Sequence, residues 1–290
     1  MRNTIKENAA SAESGRNSTL LKRILSGIVL VIITASSLFF GGGYLFILCL
    51  AISLIGMMEL YRVAGIHKRP MAVLGYISAV SYFLTIYFGL VELTSLIFVV
   101  SCIMILTDYV LSYPKYDIKD SVITFFGLIY VAVMLSYIYQ TRAMENGIFV
   151  VWLIFVSSWG NDTCAYFTGV FFGKHKMAPH LSPKKTVEGA VGGIVGAALL
   201  GGIYGFVISN DVTMLHPVYA FAAASAGGAL LSIVGDLAAS AIKRNYEIKD
   251  YGKLIPGHGG ILDRYDSVIF TAPAVFWVFY FVNLYSANCF

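Results

Sequence analysis

Nine apolar stretches, each close to the roughly 20 residues that span a bilayer as a helix, leave this chain few ways to fold. They run over 24–40, 44–62, 71–90, 93–112, 121–139, 148–172, 189–209, 217–241 and 267–285, with short polar connectors between them. At a rise of about 1.5 Å per residue, a stretch of this length covers the roughly 30 Å hydrocarbon core. Every backbone amide in lipid must find a partner within its own segment, and the stretches exceed the roughly 10-residue alternating strands of an outer-membrane barrel. Composition agrees: of 290 residues, 58% are hydrophobic and only 12% charged. The expected fold is an all-α polytopic membrane protein of about nine transmembrane helices.

Cations orient the bundle. With the amino terminus in the cytoplasm, every one of the 20 lysines and arginines except Arg142 falls in the tail or in an inward-facing connector, as the positive-inside rule requires. The polar connectors are therefore expected on the cytoplasmic side, and the expected location is a bacterial inner membrane. A net charge of +4 carries no signal for nucleic acid, because topology and anionic headgroups account for the cations. Cys49, Cys102, Cys164 and Cys289 lie in or beside apolar stretches without CxxC spacing, which speaks against a disulfide framework and a zinc site. Three regions are expected: a mobile cytoplasmic tail over 1–18, a scaffold of five spans over 19–147, and a catalytic region of four spans with two polar connectors over 148–290. No small-residue cleavage site follows the first stretch, so it reads as an anchor rather than a removed signal.

Charge within the first five stretches is sparse. Glu59 and Arg62 stand three apart on one helix face and are expected to pair, and Asp108 lies near the inner end of the fourth stretch. The sixth stretch differs. In SSWGNDTCAYFTGVFFGKHK, Asp162 and Tyr166 share a face that Gly169 and Gly173 continue toward the cytoplasm. Either that face is a packing seam with a polar clasp, or the Asp162 carboxylate points into a water-filled pocket. The connector KHKMAPHLSPKKTVE follows. Lys174, Lys184 and Lys185, with the hydroxyls of Ser182 and Thr186, are donors suited to a phosphate-bearing ligand; a tether to the lipid surface is the alternative. The seventh stretch is full of Gly and Ala, a mark of close helix contact.

Most of the polar chemistry collects between the last two stretches, in SAIKRNYEIKDYGKLIPGHGGILDRYD, Ser240–Asp266. Just before it, Asp236 lies inside an apolar span, where a lone carboxylate needs a partner, a proton or a cation; Ser240 faces the same way. The run Pro256-Gly257-His258-Gly259-Gly260 forms an irregular loop able to turn several N–H groups toward an anion. Asp263 and Asp266 then sit three apart on one helical face. Carboxylates from two helices suit a hard divalent ion such as Mg²⁺, and the lysines and arginine around them suit phosphates. That combination fits nucleotidyl or phosphoryl transfer.

Ser240–Asp266, with its Lys-Arg, Lys-Asp, Pro-Gly-His-Gly-Gly and Asp-Arg-x-Asp groups, resembles the signature of the phosphatidate cytidylyltransferases; DTCAYFTGVFFGKHK and SPKKTVEG match upstream. The resemblance covers roughly the last 130 residues, and the earlier spans match only in being apolar. It implies an integral-membrane enzyme that makes CDP-diacylglycerol and pyrophosphate from CTP and phosphatidate among membrane lipids, and a homodimer. On the same likeness Asp236 and Asp263 hold Mg²⁺, with room for a second cation, Asp266 orients that shell, and Asp162 is a further ligand candidate. Lys174, Lys184, Lys185, Lys243, Arg244 and Arg264 would contact phosphates, Lys243 being counted with the catalytic aspartates. Ser182, Thr186, Ser240, Lys249, His258, Gly259 and Gly260 would complete the substrate pocket. Ala239 stands where many members carry a glutamate, which shifts the weight to Asp236. A CTP-dependent lipid kinase would instead move the γ-phosphoryl group. A cation-coupled transporter would use Asp162 and Asp236 as an ion path, but such proteins usually show repeated halves, and this sequence has no repeat.

Overall fold

Long apolar sequence becomes helix wherever the bilayer leaves the backbone no other partner. In the computed structural model, which describes residues 25–214, 216–255 and 259–288 with side chains as far as 284, eight helical runs are long and apolar enough to cross a membrane. They are α2 Gly42–Val63, α3 Pro70–Tyr87, α4 Thr94–Ser112, the run Ile118–Ala143, α7 Gly147–Phe172, α8 Val187–Val207, α9 Pro217–Asn245 and α10 Leu262–Asn288. A shorter apolar helix, α1 Leu25–Phe40, precedes them. The run Ile118–Ala143 consists of α5 Ile118–Gly127 and α6 Met134–Ala143 joined through a π-helical segment. The protein is thus an all-α polytopic membrane protein. The expected tail over 1–18 lies outside the described residues.

Connectors are held by short-range chemistry. Gly41 and Gly42 take φ of +64° and +54°, which lets α1 reverse into α2 across a single residue. Arg142, the one cation expected on the outer side, donates from Nε to the Leu38 carbonyl at 2.9 Å and from its terminal nitrogen to Phe39 at 3.3 Å, closing the carboxyl end of α1. Asp117 and Asp120 form a capping box at the start of α5, and Asp120 also pairs with Arg69 ahead of α3.

The connector after α7 folds into an antiparallel hairpin, β1 Lys176–Ala178 and β2 Ser182–Thr186, with Lys176 opposite Thr186 and Ala178 opposite Ser182. Thr186 then caps α8, its Oγ1 accepting the Gly189 N–H at 3.1 Å. Glu188 accepts from the N–H groups of Lys174 and His175 at 3.0 and 3.2 Å and meets His175 Nδ1 at 2.6 Å, closing the base of the hairpin.

The glycines of α8 do what their spacing suggested. A Cβ on Gly192, Gly193 or Gly196 would strike Thr168, Asn161 or Cys164 of α7, and one on Gly201 or Gly205 would strike Ser225 or Phe221 of α9. Lipid is as apolar as the helices, so their association rests on close packing of this kind. The other face of α8, with Val191, Val195, Leu199 and Ile203, is exposed as a lipid-facing stripe would be.

α10 packs against α2, α6, α7 and α9. Leu262, Tyr265, Val268, Ile269, Ala272, Val275 and Phe279 are buried along one helical face. The Tyr265 hydroxyl and Thr34 Oγ1 of α1 lie 3.0 Å apart, and Thr271 Oγ1 donates to the Gly228 carbonyl of α9 at 3.3 Å. Because α10 begins with Asp263 and Asp266, the helix that buries this face also carries two of the expected site residues.

Candidate active site

Polar groups from several elements converge on a cavity of about 610 Å³ where α7, α9 and α10 meet the hairpin. Asn161, Asp162 and Tyr166 come from α7, Lys184, Lys185 and Thr186 from β2, and Asp236 and Lys243 from α9. The loop beyond α9 adds Asp250, and α10 adds Asp263, Arg264 and Asp266. Asp162, Tyr166 and Gly169 all reach this cavity, as their shared helical face predicts. Asp162 lines the cavity, and Gly169 and Gly173 of the same face lie against Thr186, so pocket and packing seam share that face.

The carboxylates are met by cations. Asp236 forms an ion pair with Lys185. Asp263 is buried, and its two oxygens divide their work: Oδ1 accepts from Lys243 Nζ at 3.0 Å, while Oδ2 accepts from the N–H groups of Tyr251 at 2.8 Å and Gly260 at 3.0 Å. Charge-assisted bonds of this kind are the strong ones. Lys243 Nζ also stands 5.4 Å from the centre of the Tyr251 ring. The Tyr251 hydroxyl donates to the Ala239 carbonyl at 3.2 Å, and burial pushes this phenol above its ordinary value, keeping it a neutral donor. Ala239 is fully buried on α9, and the carbonyl that Tyr251 meets there is a backbone group. Asp162, Asp236 and Asp266 lie close enough to act on one another electrostatically.

Other expected site residues do not line the cavity, although Gly260 still donates to Asp263. Lys174, Ser182, Ser240, Arg244, Lys249, Gly259 and Gly260 are not among the residues lining the cavity, and Lys174, Arg244 and Lys249 are exposed. His258 lies outside the described residues. Thr186 lines the cavity, but its hydroxyl oxygen caps α8.

Glu59 departs most from expectation. It is not among the ion pairs of the described residues, so the pairing with Arg62 does not form. Instead this buried α2 carboxylate accepts the Ile261 N–H on Oε1 at 3.1 Å and the Leu262 N–H on Oε2 at 2.8 Å. A Cβ on Gly252 or Gly260 would strike it. The sequence did hold a signal: Gly260-Ile261 offers no side-chain acceptor for the first N–H groups of the following helix.

Among the described residues, no three His, Cys, Asp or Glu side chains stand close enough to enclose a metal by themselves. Mg²⁺ does not need such a cage, since it keeps several waters and takes one or two carboxylates together with substrate phosphates. Asp236 and Asp263 each already hold a lysine ammonium, a positive charge at the place where a cation would be drawn. The residues therefore fit an ion that arrives with a polyphosphate.

Carboxylates and fixed cations facing one another across one polar cavity, inside a helical membrane bundle, define a membrane-embedded transferase of phosphate-bearing groups. Residues 21–282 match the profile of the cytidylyltransferase family, and the chain belongs to that family. It is 32% identical over 260 residues to the phosphatidate cytidylyltransferase of Staphylococcus aureus, an alignment covering 87% of this chain and 95% of that protein. The phosphatidate cytidylyltransferase of Staphylococcus haemolyticus is 31% identical over 258 residues, with the same shares covered. One from Thermotoga maritima is 39% identical over 158 residues, 53% of this chain and 57% of that one. The family expected from the signature stretch is the family found.

Proposed function

We propose that this protein transfers the cytidylyl group of CTP to phosphatidate, producing CDP-diacylglycerol and pyrophosphate for phospholipid synthesis. The observation that carries the reading is the single cavity in which Asp162, Asp236, Asp263 and Asp266 face Lys184, Lys185, Lys243 and Arg264. A phosphate oxygen of the lipid attacks the α-phosphorus of CTP, a new P–O bond forms, and the bond to the β-phosphate oxygen breaks. The attacking oxygen is already anionic at neutral pH, so no strong base is required. What the chain must supply is relief of repulsion between anions and of charge on the departing pyrophosphate.

Lys184, Lys185 and Arg264 meet the triphosphate. Lys243 is held by Asp263 and the Tyr251 ring, so it presents a fixed charge with little to reorganise. Asp236 and Asp263 would hold Mg²⁺, with Asp162 and Asp266 beside them, and the ion when bound supplies further neutralisation of phosphate charge. Lys185, now on Asp236, is placed to turn to a phosphate instead.

The cavity lies at the level where the cation-rich connectors emerge, which supports placing it on the cytoplasmic face of a bacterial inner membrane. A homodimer follows from the family likeness and is tested by the mass of the purified protein in detergent. The reaction is tested with CTP labelled in either the α- or the γ-phosphate, given to purified protein with phosphatidate and Mg²⁺. Entry of α-label into lipid with release of pyrophosphate is the expected result. Transfer of γ-label to lipid, or no CTP-dependent product, overturns the proposal.

A further inference from the structure

The first turn of α10 is a place where three site residues depend on one helix end. Asp263, Arg264 and Asp266 all reach the cavity from it, so any tilt or fraying at Leu262 moves all three. A helix start leaves its first N–H groups without intrahelical partners, and a Ser, Thr, Asp or Asn just before the helix normally accepts from them. Here the preceding residues are Gly260 and Ile261, which carry no acceptor. Two carboxylates do the work instead. Asp263 reaches back to the Gly260 N–H at 3.0 Å, and Glu59, some 200 residues earlier in the chain, takes the next two, Ile261 at 3.1 Å and Leu262 at 2.8 Å.

The glycines of the signature fit this arrangement. Gly259 has φ of +88°, a left-handed conformation that side chains disfavour. Gly260 and Gly252 lie so close to the Glu59 carboxylate that a Cβ on either would strike it. Glu59 is itself buried within α2, a costly place for a carboxylate unless its oxygens are matched.

We infer that Glu59 is a positioning residue for the transfer reaction: capping α10 from the amino-terminal half of the chain, it fixes the direction in which Asp263, Arg264 and Asp266 face the nucleotide. The inference rests on the proposed activity for its kinetic consequence, but the capping itself does not.

The test compares the full-length wild type with Glu59→Gln and Glu59→Ala in detergent, reading hydrogen exchange and steady-state kinetics together. Each lost charge-assisted bond is worth about 1.5–3 kcal/mol, so Glu59→Ala should speed exchange across residues 259–266 by at least about tenfold, with α7 to α9 unchanged. Misplacement of reacting groups by about 1 Å costs on the order of 100-fold, so kcat should fall by about that factor while KM for phosphatidate stays as in the wild type. Glu59→Gln keeps the length and one acceptor oxygen and should fall between the two in both readouts, which keeps the test open if Glu59→Ala fails to fold. Unchanged exchange at 259–266, wild-type kcat in either variant, or loss of protection spread evenly over all spans overturns the inference. If the wild type itself makes no CDP-diacylglycerol, the activity reading fails and the exchange result still decides the capping.

Discussion

Lys243 Nζ lies 3.0 Å from Asp263 Oδ1, and the side chains are only 14% and 1% exposed. A buried pair of this kind leaves an uncompensated charge when one partner is removed. Asp263→Asn keeps the size but turns one of two acceptor oxygens into an NH2 donor and removes the charge that holds Lys243. Turnover measured as pyrophosphate release at saturating Mg²⁺ should drop by about 100- to 1,000-fold, the scale seen when one preorganised electrostatic group is lost. Near-normal turnover in that variant would remove Asp263 from the reaction.

Lys185 makes its ion pair with Asp236 from the hairpin, outside the helices that hold the carboxylates. If its task is to meet the triphosphate, Lys185→Ala should raise KM for CTP by about 10- to 100-fold, the equivalent of one charged hydrogen bond. KM for phosphatidate should change little. Initial-rate measurements with each substrate varied in turn give the answer, and an equal rise in both constants would contradict the assignment.

Mg²⁺ dependence follows from the charge balance of the cavity. Chelation with EDTA should abolish CDP-diacylglycerol formation, and added Mg²⁺ should restore it. In Asp236→Asn the Mg²⁺ concentration for half-maximal rate should rise. Transfer that persists in excess EDTA would leave the lysines as the sole counter-charge.

The close approach between α8 and α9 predicts a stability effect without a functional residue. In Gly205→Ala the new Cβ would sit 2.9 Å from Phe221 Cβ and 2.9 Å from the Pro217 carbonyl oxygen, and a backbone oxygen cannot swing aside. Overpacking of this sort costs about 1–3 kcal/mol. Gly227→Ala is the control, because nothing lies within 4 Å of its Cβ position. Thermal unfolding in detergent should show a lower Tm for the first and no loss for the second.

The spans were legible because a bilayer permits only one solution for a long apolar segment: the nine stretches fall on α1 to α4, on the run Ile118–Ala143 and on α7 to α10, with α1 shorter than the eight spans of the described residues. Asp162, Asp236, Asp263 and Asp266 were legible as a group because charge inside a span is costly and rarely without purpose. Their convergence needed the fold, since α7, α9 and α10 are separated by connectors whose path no periodicity encodes. The hairpin at Lys176–Thr186 escaped notice because its strands are three and five residues long. Glu59 was misjudged for a physical reason: Arg62 was the only opposite charge near it in sequence, and backbone N–H groups, which every residue carries, leave no mark in composition. Ser240, Arg244 and Lys249 belong to the same stretch as the site residues, yet adjacency along a chain did not bring them to the cavity wall.

Glu59 and Leu262 are 203 positions apart, and the hydrogen bond between them has a bearing on how the protein is made. A ribosome delivers α2 to the bilayer long before α10 exists, so during synthesis this acid waits in an apolar helix with its eventual partner still untranslated. Insertion of the last helix therefore completes an earlier one, and a nascent chain halted after α9 should hold α2 in a state that the finished enzyme does not contain.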